Sequence, residues 1–170
     1  MNEEGDMKKK FVCFLLIIVL IAGCIVTPTQ IRHRVRQMAG SVPQPKEGVE
    51  LLLEILKDSS GSDCIGASYF WIYGSDVPLE DAIYSYQKIL SIEGWKEIEI
   101  NETEIAPQFR RIMLGVFQKN DQTLFIDRID DLNWVIATTG IYSEENYLKN
   151  RAKEFEALFM LSISASSCER

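Results

Sequence analysis

Ala67 to Trp95 reads ASYFWIYGSDVPLEDAIYSYQKILSIEGW, and the way this stretch divides decides the fold. Its first part, Ala67 to Tyr73, is rich in aromatic and branched residues and carries apolar side chains on both faces of an extended chain. A strand of that kind is covered on two sides and central in its sheet. The period then changes. Leu79, Ala82, Ile83, Tyr86, Ile89 and Leu90 fall on one stripe of a helix. Ser75 or Asp76 can cap its start, Pro78 suits the first turn, and Glu80 and Asp81 sit where the helix dipole favours negative charge. Gly94 suits the left-handed position beyond the end, so the spacing predicts a helix over 78–92.

Working outward, Glu47 to Lys57 places Val49, Leu52, Leu53 and Leu56 at helical spacing, widened by Leu51 and Ile55, until DSSGSD breaks the pattern. This predicts a short helix. On the other side, Ile98 and Ile100 alternate with Glu97 and Glu99, as in a half-buried strand. Arg111 to Gln118 and Thr123 to Arg128 flank KNDQ and read as a hairpin. Trp134 to Tyr142 reads as another strand, Ser143 to Lys153 as a short helix burying Tyr147, Leu148 and Ala152, and Leu158 to Ala165 as a last strand. The order predicts an α+β fold, a mainly antiparallel sheet with helices packed on one face.

The N-terminus is of another kind. Lys8, Lys9 and Lys10 precede an apolar run from Phe11 to Ala22, well short of the roughly 20 residues that a membrane-crossing helix needs. A basic region, a short apolar region and a small-residue site make a secretory signal. Ile21-Ala22-Gly23-Cys24 resembles the lipobox of bacterial lipoproteins. The resemblance implies that the Cys24 thiol is diacylated, that the chain is cut ahead of it, and that the new amine is acylated with a palmitate-type chain. One acyl chain binds a bilayer marginally, whereas two or more hold it stably. The plainer alternative, a buried N-terminal helix with an incidental cysteine, has no use for lysines at one end and Ala-Gly-Cys at the other. Met7 is an alternative start, because Glu3, Glu4 and Asp6 stand ahead of the basic region. Ile25 rather than Asp follows the cysteine, so nothing marks the protein for retention at an inner membrane.

The expected organisation is a signal peptide over 1–23, a flexible membrane tether over 24–45 and one α+β domain over 46–170. The tether is read from Pro28, Gly40, Ser41, Pro43, Pro45 and the polar residues among them. Arg32, His33, Arg34 and Arg36 lie in it close to the lipid, where each basic residue gains about 1 kcal/mol beside an anionic leaflet. A solvated charge run is the equal alternative.

Loss of the leader takes Cys13 with it and Cys24 carries lipid, so Cys64 and Cys168 are left as a pair in an oxidising compartment. They are expected to form a disulfide. Two free thiols are the alternative, and a zinc site lacks ligands. A disulfide holds Cα atoms about 4.4 to 6.8 Å apart. Cys64 precedes one strand and Cys168 follows the last, which places those two strands side by side and antiparallel in the middle of the sheet.

The residues in this arrangement also resemble a loose group of small bacterial lipoproteins. Their pattern is a Cys before a strand ending Tyr-Gly, an acidic amphipathic helix closing on Gly-Trp, hairpin strands and a Cys near the C-terminus. Cys64, Tyr73, Gly74, Tyr86, Gly94, Trp95 and Cys168 match it. Arg110-Arg111 stands where members tend to show Arg-Gly. The resemblance implies no activity.

The formal charge is -7, and the leader's lysines and acids cancel, so an acidic chain without a basic face is no nucleic-acid binder. Its single histidine, His33, lies in the tether, which leaves a Ser-His-Asp or Cys-His enzyme without its base. Asp127, Asp130, Asp131 and Asn133 offer oxygen donors to a hard cation but lack the Gly and closing Glu of a calcium loop. An acidic turn is the plainer reading. Glu97, Glu99, Glu102 and Glu104 read as a solvated strand face and loop, and Tyr69, Phe70, Trp71 and Tyr73 as core rather than a stacking platform. Arg110 and Arg111 read as exposed strand-end arginines, Asn101 begins a glycosylation sequon in form only, and no cofactor is implied.

The expectation is a lipid-anchored lipoprotein on the extracytoplasmic face of the cell membrane. Cys24 carries the membrane contact, and the domain serves as a binding or interaction module for an envelope protein. The alternative is a carboxylate- or cation-dependent extracytoplasmic enzyme.

Overall fold

A computed structural model of the chain describes residues 27–60, 64–99 and 112–168. The signal peptide, Cys24, Asn101, Glu102, Glu104, Arg110 and Arg111 lie outside the described residues. The elements in chain order are α1 (Pro28–Gly40), β1 (Val49–Ser60), β2 (Cys64–Ser75), α2 (Leu79–Ile92), β3 (Lys96–Glu97), β4 (Ile112–Lys119), β5 (Gln122–Arg128), α3 (Leu132–Thr139), α4 (Glu145–Arg151) and β6 (Ala157–Cys168). Single 3-10 turns, Tyr142–Glu144 and Ala152–Glu154, flank α4. Among the described residues no helix is long and apolar enough to cross a membrane.

The protein has an α+β fold built on an antiparallel sheet of order β1-β2-β6-β5-β4-β3. β2 and β6 are adjacent and central, paired over their whole length from Cys64 opposite Cys168 to Ser75 opposite Ala157. Successive residues of β2 face opposite ways, as an extended chain requires. Trp71 and Tyr73 join Phe159, Leu161, Ile163, Leu124 and Ile126 under α1 and α2, whereas Phe70 and Ile72 join Met160 under α3 and α4. The helices thus divide between the two faces, instead of sharing one as expected. The reason is in β2 and β6 themselves, whose two faces are both apolar and both need cover.

Three segments differ from their sequence reading. The first is Glu47–Lys57, which lies in and just ahead of strand β1 and not in a helix. The register along β1 skips a residue between Leu51, opposite Tyr73, and Leu53, opposite Ile72. This bulge leaves Leu52 buried in the same cluster as Leu53 and Ile55. Strict alternation is broken, and the leucines on either side of the break imitate helical spacing.

The second is Trp134–Tyr142, where α3 and the turn after it replace a strand. The Asp131 carboxylate accepts from the Asn133 backbone N–H at 2.9 Å, and Gly140 closes the helix with φ 77°. Cap and stop outweigh the β-branched composition of LNWVIATT.

The third is the tether. From Thr27 to Gly40 it is the cap and body of helix α1. Thr27 and Gln30 form a reciprocal capping box, with Pro28 in the first turn. Ile31, Val35, Met38 and Ala39 are buried against the sheet. Arg32 forms a two-pronged pair with Asp58 of β1, its Nε donating to Oδ1 at 2.7 Å. Arg34 pairs with Asp121 in the β4–β5 turn at 2.6 Å. The apolar spacing i, i+4, i+7 that drives this docking is thin, and the polar residues between conceal it.

Elsewhere the reading holds in outline, but α4 buries Leu148 and leaves Tyr147 exposed, α2 has Pro78 at its N-cap with no side-chain cap from Ser75 or Asp76, and the strand expected around Ile98 is, among the described residues, only Lys96–Glu97. The helix expected over 78–92 is α2, and the Lys119–Gln122 turn joins β4 to β5 with Asn120 at φ 57°, a left-handed position that Asn tolerates. Gly74 has a packing role: a Cβ there would lie 2.3 Å from the Phe155 ring, so only glycine lets that ring rest on β2.

Candidate functional site

The connection from α1 to β1, residues 41–48, is fixed by side chains from the sheet and from α2. Tyr86, fully buried in α2, donates its hydroxyl to the Pro43 carbonyl oxygen at 2.8 Å. Tyr73 of β2 donates to the Gln44 side-chain oxygen, and its ring stacks on Phe159 directly across the pair of strands. Gly48, with φ 64°, turns the chain into β1, and its carbonyl oxygen accepts from the Asp76 N–H at 2.9 Å. A side chain at Gly48 would meet Val77 at 2.8 Å. Burial pushes the Tyr86 hydroxyl far above its ordinary pKa, with Tyr73 adding to the shift. Burial raises Tyr73 likewise, helped by Glu54 and Tyr69. Both therefore stay protonated and act as donors across the physiological range.

This fixed segment leaves a cleft of about 320 Å³ between itself and α2. Pro45, Lys46, Glu47 and Val49 line one side, and Ala82, Ser85, Tyr86, Lys88 and Ile89 the other. Ala82, Ser85, Tyr86 and Ile89 follow helical spacing, so one face of α2 forms that wall. The lining is apolar at Pro45, Val49, Ala82 and Ile89, with two ammonium groups against one carboxylate. Lys88 lies over the exposed Tyr84 ring, its Nζ 4.1 Å from the centroid. Such a surface has the chemistry to accept an apolar group that carries negative charge.

Of the residues singled out from the sequence, Cys64 stands directly opposite Cys168 at one end of the β2–β6 pair. Phe70, Trp71 and Tyr73 are core residues on alternating faces, and Tyr69 is partly buried against the core, its ring 4.8 Å from that of Trp71. The acidic stretch does not converge. Asp127 is fully buried in β5, Asp130 is exposed and accepts from Arg128 Nε at 2.6 Å, and Asp131 caps α3. Among the described residues no group of three or more His, Cys, Asp or Glu side chains could hold a metal ion. Glu97 and Glu99 are exposed at the β3 edge, as expected of a solvated face. His33 is on the exposed face of α1, 3.0 Å from the Gln37 amide nitrogen.

Lys46, Ser85 and Lys88 carry no signal in the sequence. Ser85 and Lys88 are ordinary polar residues bordering the α2 stripe, and Lys46 sits in a proline-rich stretch. The remote bonds Tyr86–Pro43, Tyr73–Gln44 and Asp76–Gly48 help bring the two sides together.

Comparison with protein-family models, with curated proteins and with solved structures gives no match.

Proposed function

We propose that the chain is a lipid-anchored lipoprotein on the extracytoplasmic face of the cell membrane, and that its domain is a binding module whose contact surface is the cleft between residues 45–49 and α2. Acyl chains on Cys24 hold it to the membrane. Cys64 and Cys168, opposite each other across β2 and β6, join as a disulfide in that oxidising space. The partner is an envelope protein presenting an apolar side chain beside an acidic one, matched to the apolar wall and to Lys46 and Lys88. The cleft is the observation that carries the binding role. It is the preferred role over carboxylate chemistry because Asp127, Asp130 and Asp131 sit in three different environments.

The test is a photo-crosslinking amino acid in the intact envelope, placed at Ser85 in the cleft or at Lys153 near the opposite face. The expected result is a discrete adduct from Ser85 that is lost with Lys88→Glu, and none from Lys153. Identical patterns from both positions, or no adduct at Ser85, would sink the binding role. Mass spectrometry of the membrane-extracted protein checks the anchor separately. An N-terminus at Met1 or Met7 without added acyl mass would refute it.

A further inference from the structure

Once Cys24 carries lipid, the reading on which this inference rests, the place where α1 begins constrains the whole domain. Its capping box closes at Thr27, so only three peptide links separate Cys24 from a helix docked on the sheet. Whatever their conformation, those links span at most about 11 Å. A domain on such a short lead cannot turn freely above a bilayer.

The direction of α1 says which end is held. Ile31 and Val35, early in the helix, pack with Ala67 and beside Ile65 and Ala165. Met38 and Ala39, at its far end, join the cluster of Trp71 and Tyr73. The helix therefore runs alongside β2, and its start lies at the end of the sheet where Cys64 faces Cys168. The β4–β5 turn is at that end too, because Leu124 pairs with Ile163 and β6 runs on from there towards Cys168. The cleft lies at the other end, since Val49 is opposite Ser75. From Cys64 to Ser75 the strand spans roughly 35 Å.

We infer that the Cys64–Cys168 end of the sheet rests on an anionic bilayer surface and that the cleft is presented outward, about a strand's length from the lipid. Headgroup phosphates meet the N-terminal turns of α1, where Arg32 and Arg34, on opposite flanks of the helix, keep 51% and 57% of their side chains exposed despite pairing with Asp58 and Asp121, and Arg36 is exposed one turn beyond Arg32. Guanidinium forks suit phosphate oxygens, and each basic group close to an anionic leaflet adds attraction. What the sequence offered as a loose tether is, in this arrangement, a mount that sets height and orientation.

The test uses the acylated full-length chain in phosphatidylglycerol-containing vesicles with an energy acceptor on the headgroups. A fluorescent amino acid is placed at Ser60, at the membrane end, or at Lys46, at the cleft. Transfer from Ser60 should exceed transfer from Lys46 by about twofold or more, given a separation near 35 Å along the strands. A long Gly/Ser insertion between Val26 and Thr27 should abolish the difference. With phosphatidylcholine alone the difference should shrink, as it should for Arg36→Glu. Equal transfer from both sites in a chain that co-floats and carries acyl mass overturns this inference while leaving the anchor intact. A difference that survives the insertion, or that ignores lipid charge, also overturns it. A chain without acyl mass that stays off the vesicles refutes the anchor and takes this orientation with it.

Discussion

Tyr73 and Tyr86 show how two single atoms place the cleft. The hydroxyl of each is the polar end of a large core side chain and is aimed at residues 43–44, just ahead of the cleft wall that begins at Pro45. The same burial that fixes them makes stability depend on pH. In the unfolded chain a tyrosine ionises near its ordinary value of about 10, whereas the buried pair stays protonated well above it. Folded protein then holds protons that unfolded protein has released, so stability is complete below about pH 10 and falls as pH rises further. Tyr86→Phe should cost about 1 kcal/mol at pH 7, because the Pro43 carbonyl loses its donor, and should flatten the alkaline decline. Urea unfolding at both pH values checks this. An unchanged alkaline slope in the variant would show that Tyr86 carries no part of it.

At the level of elements, α1 and β1 explain one another. α1 is a short amphipathic helix whose stability comes from packing more than from propensity, and β1 is an edge strand that supplies Asp58 and Leu56 to it. Removing the cap should be felt along the helix: Thr27→Ala should lower stability by about 1 kcal/mol. Hydrogen exchange would show faster exchange in α1 than in β2. Uniform loss of protection across the sheet would mean that α1 is not a separable unit. Asp58 is held below the usual carboxylate range by its bond to Arg32. That contribution is present above the ordinary carboxylate pKa and is lost as pH falls through the lowered value, so only acid below the ordinary carboxylate range loosens the β1 contact of α1.

For the whole molecule, the pairing of β2 with β6 joins residues remote in sequence into the centre of the sheet. Closing that pair covalently at Cys64 and Cys168 removes freedom from the unfolded chain, up to about 4.7 kcal/mol for a loop near 100 residues in the chain-entropy model. A reducing agent should therefore lower the melting temperature by several degrees in the native protein and leave a Cys64→Ser variant unmoved. Equal melting with and without reductant would count against the bridge.

Much of the architecture is legible because some residues state their place locally. The run from Ala67 to Tyr73, the marked start and stop of α2, the KNDQ turn and the positions of Cys64 and Cys168 suffice for an antiparallel α+β sheet with β2 beside β6. β1, α3 and α1 mislead. In each, a local rule is masked: a bulge that shifts register, caps at Asp131 and Gly140 that outvote composition, and a four-residue stripe diluted by charge. The cleft is not legible at all, since Lys46 and Lys88 come to line it through contacts across the fold, among them the bonds from Tyr73 and Tyr86. Sequence alone determined which segments are apolar on one side or two, because hydrophobic periodicity is a property of neighbours along the chain. Tertiary structure alone decided which face each helix covers and where the polar groups meet, because those depend on contacts between residues that the chain keeps far apart.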